Sequence, residues 1–118
     1  MAKQIKTIDY DLEEDILFIS NGEKVKASLD IGDFILDVDH NNLICGIEIM
    51  DASINLGINK TILKDIKSIK LSVNYKTNHA YLLLMISFKK GDKEVNIPIP
   101  LTLNLGHKTP MQDVLVYN

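Results

Sequence analysis

The residue spacing that most resembles a chemical site lies between Asp37 and Glu48. Counted from Asp37, side-chain oxygens fall at positions 1, 3 and 5, an apolar residue at position 8 and a glutamate at position 12. This is the ligand spacing of a calcium loop between two helices. The candidate metal ligands are Asp37, Asp39, Asn41 and Glu48. Asn42 stands where such a loop has glycine, and asparagine tolerates the left-handed conformation better than most residues.

The same segment also has the pattern of a β-hairpin. The apolar residues of its two arms are Phe34, Leu36 and Val38, then Leu43, Cys45, Ile47 and Ile49. Pairing Val38 with Leu43 places both sets on one face and sets Glu48 opposite Asp33. A hairpin would carry Glu48 roughly 15–20 Å from the tip, too far to share an ion with Asp39. The two interpretations exclude each other, and we favour the hairpin.

A run of carboxylates near the N-terminus is a second candidate site. Its members are Asp9, Asp11, Glu13, Glu14 and Asp15. Two carboxylates can act as general acid and base when their environments separate their pKa values. A small hydrolase-like enzyme using Asp9, Asp11 and Asp15 is therefore one hypothesis. No feature of the sequence implies that these residues are buried, so we interpret the run as a solvated turn between two strands.

Other reactive residue types have simpler interpretations. Cys45 has the parity of a buried, unreactive core cysteine. The histidines, His40, His79 and His107, fall near turns or in the tail and never at metal-ligand spacing. A lysine stripe, Lys60, Lys64 and Lys67, could meet an acidic partner or phosphate, but we interpret it as the solvated face of a helix. The sequence contains no phosphate loop, serine elbow or dinucleotide fingerprint. We therefore predict no cofactor and disfavour an enzyme.

The elements that must carry these residues are mostly strands. Period-2 alternation over 1–50 predicts a first β-meander, and 68–106 predicts a second. Between them, residues 51–67 have the four-residue period of an amphipathic helix, which Gly57 could divide in two. Asp51 and Asn59 are candidate N-caps. The sequence predicts a single α+β domain, mainly antiparallel, with this helical segment packed on the sheet and a tail over 107–118.

Two features refine the second meander. The segment from Tyr81 to Phe88 is nearly all apolar, which predicts a central strand covered on both faces. Pro98 and Pro100 lie on the outward parity of the next strand and cannot donate to a ladder, which predicts an edge strand. Edge strands are surfaces to which other strands can pair.

Composition narrows the class of partner. The chain has 118 residues, a formal charge of −3, one cysteine and no arginine. Without arginine, a mildly acidic chain is a poor candidate for sequence-specific nucleic-acid binding. One cysteine permits no internal disulfide. The longest apolar run, 80–86, is far short of the ~20 residues that cross a bilayer, and the N-terminus lacks the apolar core of a signal peptide. We predict a cytoplasmic protein that binds neither nucleic acid nor membrane.

The N-terminal half resembles a known prokaryotic family. The residues that carry the likeness are the runs Ile8 to Asp11, Glu14 to Ile19, Phe34 to Asp39 and Gly46 to Ser53. Together they resemble domain-of-unknown-function family 2283, which usually has glycine where this chain has Asn42. The resemblance implies no activity, but it implies a partner-binding role, because some members are encoded beside small toxin-like proteins. Our first hypothesis is thus a non-enzymatic binding module, with a homo-oligomer or a small protein as partner; the alternatives are the calcium-binding protein and the hydrolase.

Overall fold

The structure, a computed structural model, describes residues 2–3, 5–104 and 114–117. In chain order its elements are β1 (Ala2–Lys3), β2 (Thr7–Asp11), β3 (Ile16–Ser20), β4 (Val25–Ile31), β5 (Phe34–Asp39), β6 (Ile44–Ile49), α1 (Ala52–Leu56), α2 (Lys60–Lys64), β7 (Ser68–Tyr75), β8 (His79–Lys90), β9 (Lys93–Asn104) and β10 (Val114–Tyr117). The predicted mainly antiparallel α+β class is confirmed. Two compact units are present: an N-terminal unit, Ile5–Ile66, and a C-terminal unit, Lys67–Asn118 together with Met1–Gln4.

The N-terminal unit contains a five-stranded antiparallel sheet in the order β2-β3-β6-β5-β4. Strands β4, β5 and β6 form a meander, but the sheet as a whole does not. After β3 the chain crosses to the far edge, so that β6 returns to pair with β3. Alternation along a single strand defines its faces but carries no information on which strand lies beside it, so the crossing could not be predicted.

Apolar residues on one face of this sheet form the core of the N-terminal unit. Fully buried side chains from the three central strands are Leu17, Ile19, Leu36, Ile47 and Ile49. Further buried side chains come from the helical segment: Ala52, Leu56, Ile58 and Leu63. The parity of the two hairpin arms predicted that Leu36, Ile47 and Ile49 lie on one face, because a period of two places alternate residues on the same side of a strand.

The predicted helical segment consists of two five-residue helices. Gly57 ends α1 in the left-handed conformation, with φ of 66°. Asn59 caps α2 by accepting the backbone N–H of Thr61 at 2.9 Å. Asp51 occupies the N-cap position of α1 but makes no side-chain capping bond. No helix in the described part of the chain is long and apolar enough to cross a bilayer.

The predicted hairpin over 34–49 is present, but its register differs. Leu36 pairs with Ile47 and Ile35 with Glu48, whereas the prediction placed Glu48 opposite Asp33. The shift is two residues, which keeps both apolar sets on one face. An irregularity between Asp37 and Val38 absorbs part of the shift near the turn.

The C-terminal unit contains the second five-stranded sheet, in the order β1-β10-β7-β8-β9. The predicted meander corresponds to β7, β8 and β9, and β9 lies at the sheet edge as its prolines predicted. The sequence pattern missed two strands. Strand β10, in the predicted tail, pairs antiparallel with β7, and the two-residue β1 pairs parallel with β10. Leu105 and His107 lie outside the described residues.

Strand β8 is central, but the prediction that both its faces are covered is wrong. Ala80, Leu82, Leu84 and Ile86 are buried on one face. On the other face the side chains of Tyr81 and Leu83 are 44% and 40% exposed. A continuous apolar run predicts that both faces of the strand are buried, whereas one face of β8 is open to solvent.

Candidate functional site

The four predicted metal ligands are spread along the β5–β6 hairpin. Asp37 and Asp39 lie in β5, Asn41 in the turn and Glu48 in β6. Among the described residues, no group of three histidine, cysteine, aspartate or glutamate side chains is placed to hold a metal ion. Calcium binding through these residues therefore gains no support from the geometry. It stays a prediction, and a calcium-dependent rise in melting temperature that Glu48→Gln abolishes would establish it.

Asp39 instead organises the hairpin turn. Its buried carboxylate accepts the backbone N–H of Asn41 at 2.8 Å and that of Leu43 at 3.1 Å through Oδ1. Asn42 has φ of 62°, in the left-handed region that glycine adopts most readily. Glycine, which the family resemblance leads us to expect at this position, suits the same conformation, and asparagine is an acceptable substitute for it.

In the N-terminal acidic run, Asp15 differs from its neighbours. Asp9 and Asp11 are exposed, but Asp15 is 6% exposed, so the solvated-turn interpretation is wrong for this residue. Its carboxylate accepts hydrogen bonds from the Tyr10 hydroxyl at 2.6 Å, from the Ser53 hydroxyl at 2.6 Å and from the Ser53 backbone N–H at 3.0 Å. We call Tyr10, Asp15 and Ser53 the carboxylate node.

The node joins the β2–β3 turn to the start of α1. Besides the side-chain bonds, the Asp15 carbonyl accepts the backbone N–H of Ala52 at 2.8 Å. Asp15 itself has φ of 57°, which aspartate tolerates better than most residues. One residue therefore satisfies two backbone N–H groups at the beginning of α1, where donors lack partners within the helix. Asp51 makes no side-chain capping bond, so Asp15 caps the beginning of α1.

The electrostatics of the node keep each proton in place. Burial raises the pKa of the Asp15 carboxyl. Hydrogen bonds from Ser53 and Tyr10, together with the charge of Lys60, lower this pKa by more than burial raises it, so the net shift is downward. Burial, the hydrogen bond to Asp15 and the charges of Asp15 and Asp11 raise the pKa of Tyr10 to about 12. At neutral pH Asp15 is a fixed acceptor and Tyr10 a fixed donor. A carboxylate with a lowered pKa is a weak base, so the node is poorly suited to activate the Ser53 hydroxyl.

Cys45 and Gly46 occupy a tightly packed part of β6. Cys45 is buried, as predicted, and burial together with the charges of Asp39 and Asp37 raises its thiol pKa to about 11. A Cβ on Gly46 would lie 3.0 Å from Asp37 Oδ2 and 3.2 Å from the carbonyl oxygen of Ile19. Close approach, not backbone conformation, thus requires glycine at this position. Both observations point to packing and not to reactivity.

The open face of the C-terminal sheet carries a groove that the sequence did not predict. Its volume is about 440 Å³, and its described lining residues are Ser72, Val73, Asn74, Tyr81, Leu82, Leu83 and Pro100. Cross-strand pairing aligns Ser72, Leu83 and Pro100 in one row and Asn74, Tyr81 and Thr102 in the next. The Tyr81 ring also stacks on the ring of His79, with centroids 6.3 Å apart.

The chemistry of this groove is that of a contact surface. No charged side chain is among its described lining residues, and its polar groups are a hydroxyl from Ser72 and an amide from Asn74. The available signal in the sequence was the single tyrosine in the apolar run, since a tyrosine with its polar end is expected where one side meets water. Lys60, Lys64 and Lys67 are exposed, as the solvated-face interpretation predicted, but Lys67 follows the end of α2 and does not share a helix face with the other two.

The carboxylate node lies within the part of the chain that matches a known family. Residues 7–53 match the family described as "Protein of unknown function (DUF2283)", a span that runs from β2 to Ser53. A protein of Methanosarcina mazei named "Putative hypoxanthine phosphoribosyltransferase" is 33% identical over 89 residues, 75% of this chain and 72% of the relative. An uncharacterized protein of Methanocaldococcus jannaschii is 43% identical over 54 residues, 45% of this chain and 47% of the relative. No solved structure matches.

Proposed function

This chain belongs to the DUF2283 family, and we propose that it is a non-enzymatic binding module whose groove takes an apolar segment of a partner protein. One observation carries the proposal: Tyr81 and Leu83, in the middle of a central strand, are 44% and 40% exposed. Together with Pro100 they form a contiguous apolar surface without charge. Tyrosine is enriched among residues that dominate binding energy at interfaces, and contiguous exposed apolar surface is a mark of interaction sites.

The partner is expected on the face of this sheet and not at its β9 edge. Pro98 pairs with Met85 and Pro100 with Leu83. Because proline has no N–H, both residues occupy positions whose backbone groups point away from β8. The free edge therefore lacks two successive donors, and an added strand would lose those bonds. We predicted that a partner could pair with this edge strand, but β9 is poorly suited to pairing because of its two prolines.

The shape of the groove favours a protein segment over a small molecule. Its volume lies within the range of ligand pockets, roughly 300–1,000 Å³, but such pockets bury about 70–90% of their ligand. A groove on the open face of a sheet covers its occupant from one side only. A protein segment brings its own cover, and its backbone groups can pair with the Asn74 amide and the Ser72 hydroxyl.

Selection from a library of random peptides displayed on phage would test the proposal with the full chain as bait. We expect enrichment of peptides with aromatic or aliphatic residues, and at least about tenfold weaker binding of those peptides to Leu83→Asp and to Tyr81→Ser. Ile54→Asp is the matched control, because Ile54 is an exposed apolar residue outside the groove.

Three results would contradict the proposal. One is that no peptide is enriched, and another is that enriched peptides bind Leu83→Asp and Ile54→Asp equally well. The third is that isopropanol and phenol, used as small apolar probes, occupy the groove while peptides do not, which would identify a small-molecule site. Melting curves of both variants verify that each is folded.

The name of the Methanosarcina relative provides a second candidate, transfer of a phosphoribosyl group to hypoxanthine. Such chemistry must hold phosphate groups, which proteins bind with helix N-termini, glycine-rich loops, arginine and lysine. This chain has no arginine, and the two helices in its described part are five residues long. Phosphoribosyl transfer is therefore less well supported than peptide binding. Formation of a nucleotide from hypoxanthine, phosphoribosyl diphosphate and Mg²⁺ by the purified chain would replace the binding proposal.

A further inference from the structure

Strand β4 forms one edge of the N-terminal sheet, and most of its side chains are exposed. It ends the strand order, and β5 is its neighbour in the sheet. Val25, Lys26, Ala27, Ser28 and Asp30 are all exposed. In contrast to β9, β4 contains no proline. A seven-residue edge with free backbone groups is a template for another strand unless the protein protects it.

The hydrogen-bond pattern identifies which groups of β4 face outward. The Met50 N–H donates to the Asp33 carbonyl at 2.8 Å, so odd-numbered positions at this end of β5 bond to β6. Even-numbered positions such as Phe34 and Leu36 then bond to β4, where their partners are Ile31 and Leu29. Because outward and inward positions alternate, the backbone groups of Ser28 and Asp30 point to the free edge.

The sequence of this edge is complementary to itself. Lys26, Ala27, Ser28, Leu29 and Asp30 follow one another, with opposite charges two residues on either side of Ser28. If a second β4 pairs antiparallel with Ser28 opposite Ser28, Lys26 of each copy faces Asp30 of the other. Ala27 then faces Leu29. This is the register that sets the two charged residues of β4 opposite each other, and opposite charges stabilise a cross-strand pair.

We propose that a second copy of this chain binds at this edge and that the two β4 strands pair about Ser28, joining two five-stranded sheets into one. The strand is irregular at Lys26, between Val25 and Ala27, so the regular part of the contact is Ala27 to Leu29 of each copy, the charged pairs flank it, and the dimer is a reversible one. The long Lys26 side chain, whose ammonium donates to Asn42 Oδ1 at 2.9 Å within one copy, has Asp30 of the other copy as its partner in the dimer. The inference does not rest on the groove.

Charge reversal in the full chain provides the test, with the dimer dissociation constant measured by analytical ultracentrifugation from micromolar to millimolar concentrations. Lys26→Glu sets two like charges opposite each other in its own dimer, and so does Asp30→Lys. Each variant alone should dimerise about tenfold more weakly or worse than the wild type, since two pairs are lost by symmetry. In an equimolar mixture, both pairs become attractive again, and the mixed dimer should regain the wild-type constant.

Cross-linking checks the register independently. In Ser28→Cys, the two introduced thiols face each other across the twofold axis at a Cα separation of about 5.5 Å, which suits a disulfide. In the control Asp30→Cys, the equivalent atoms lie about 13 Å apart, and no disulfide should form. The native Cys45 is buried and does not compete.

A wild type that stays monomeric throughout the concentration range would overturn the inference. So would a mixture of the two charge-reversal variants that associates no better than either alone, or equal cross-linking of the two cysteine variants. Leu83→Asp should leave the dimer unchanged, so failure of the edge pairing and failure of the groove are separate results.

Discussion

Removing the Asp15 carboxylate should be the most destabilising polar substitution in the N-terminal unit. Asp15→Ala deletes three hydrogen bonds to a charged acceptor, each worth roughly 1.5–3 kcal/mol. Their donors are only part-buried and regain water, which places the total at the low end. Alanine in the left-handed conformation costs about 1 kcal/mol more. We expect the free energy of unfolding to fall by about 5–6 kcal/mol, measured by urea denaturation at pH 7.

Asp15→Asn separates the charge from the shape. Asparagine tolerates the same backbone conformation, but its amide group cannot accept from all three donors, so a loss of about 2 kcal/mol is expected. Asp9→Asn is the control, because Asp9 is exposed, and it should change stability by less than about 0.5 kcal/mol.

The stability difference between the wild type and Asp15→Asn should also depend on pH. The pKa of Asp15 is lowered in the fold, so its contribution is fully present above the unfolded value, about 3.9, and is lost as the pH falls through the lower folded value. The difference should therefore shrink from pH 5 downward. A loss below about 1 kcal/mol for Asp15→Ala at pH 7, or a difference that does not change with pH, would refute the node as a stabilising anchor.

Three further predictions concern the β5–β6 hairpin. Gly46→Ala should lower the free energy of unfolding by about 1–3 kcal/mol, because the new methyl meets the Asp37 carboxylate and a backbone carbonyl; an unchanged urea midpoint would contradict the close approach. Asn42→Gly should be neutral or stabilise the protein by up to about 1 kcal/mol, and Asn42→Ala should destabilise it by a similar amount, because φ is 62° at this position. A higher melting temperature for Asn42→Ala than for Asn42→Gly would exclude a left-handed turn. Cys45 should react with a thiol reagent at pH 8 only after denaturation, because its pKa is raised to about 11 and it is buried; rapid labelling of the native chain would show an accessible thiolate.

Period and parity predicted the elements of this fold but not their arrangement. Leu36 and Ile47 share a face in the prediction and in the structure, because a period of two fixes the faces of a strand wherever it is placed. The register of the same hairpin was wrong by two residues, since parity is unchanged by such a shift and the irregularity near Val38 has no signature in composition. The strand at Val114–Tyr117 was missed because a four-residue strand has too few alternations to be recognised.

The candidate sites could also be predicted only in part from the sequence. Asp15 was grouped with exposed neighbours because its burial depends on Ser53, which lies 38 residues away in the sequence. Tyr10, Asp15 and Ser53 all belong to the segments that carried the family resemblance, and the structure brings their side chains into contact. The groove was missed for a different reason. Apolar composition cannot distinguish a strand buried on both faces from one whose second face stays open for a partner.

Binding at the open face of β7, β8 and β9 is tested most directly by nuclear magnetic resonance. The full chain, labelled with ¹⁵N, would be titrated with the peptide most enriched in the phage selection while its amide shifts are followed. We expect the largest changes to cluster at Ser72, Asn74, Tyr81 and Leu83, and to vanish in Leu83→Asp. Changes that cluster within residues 5–66 instead, or that persist in Leu83→Asp, would contradict it.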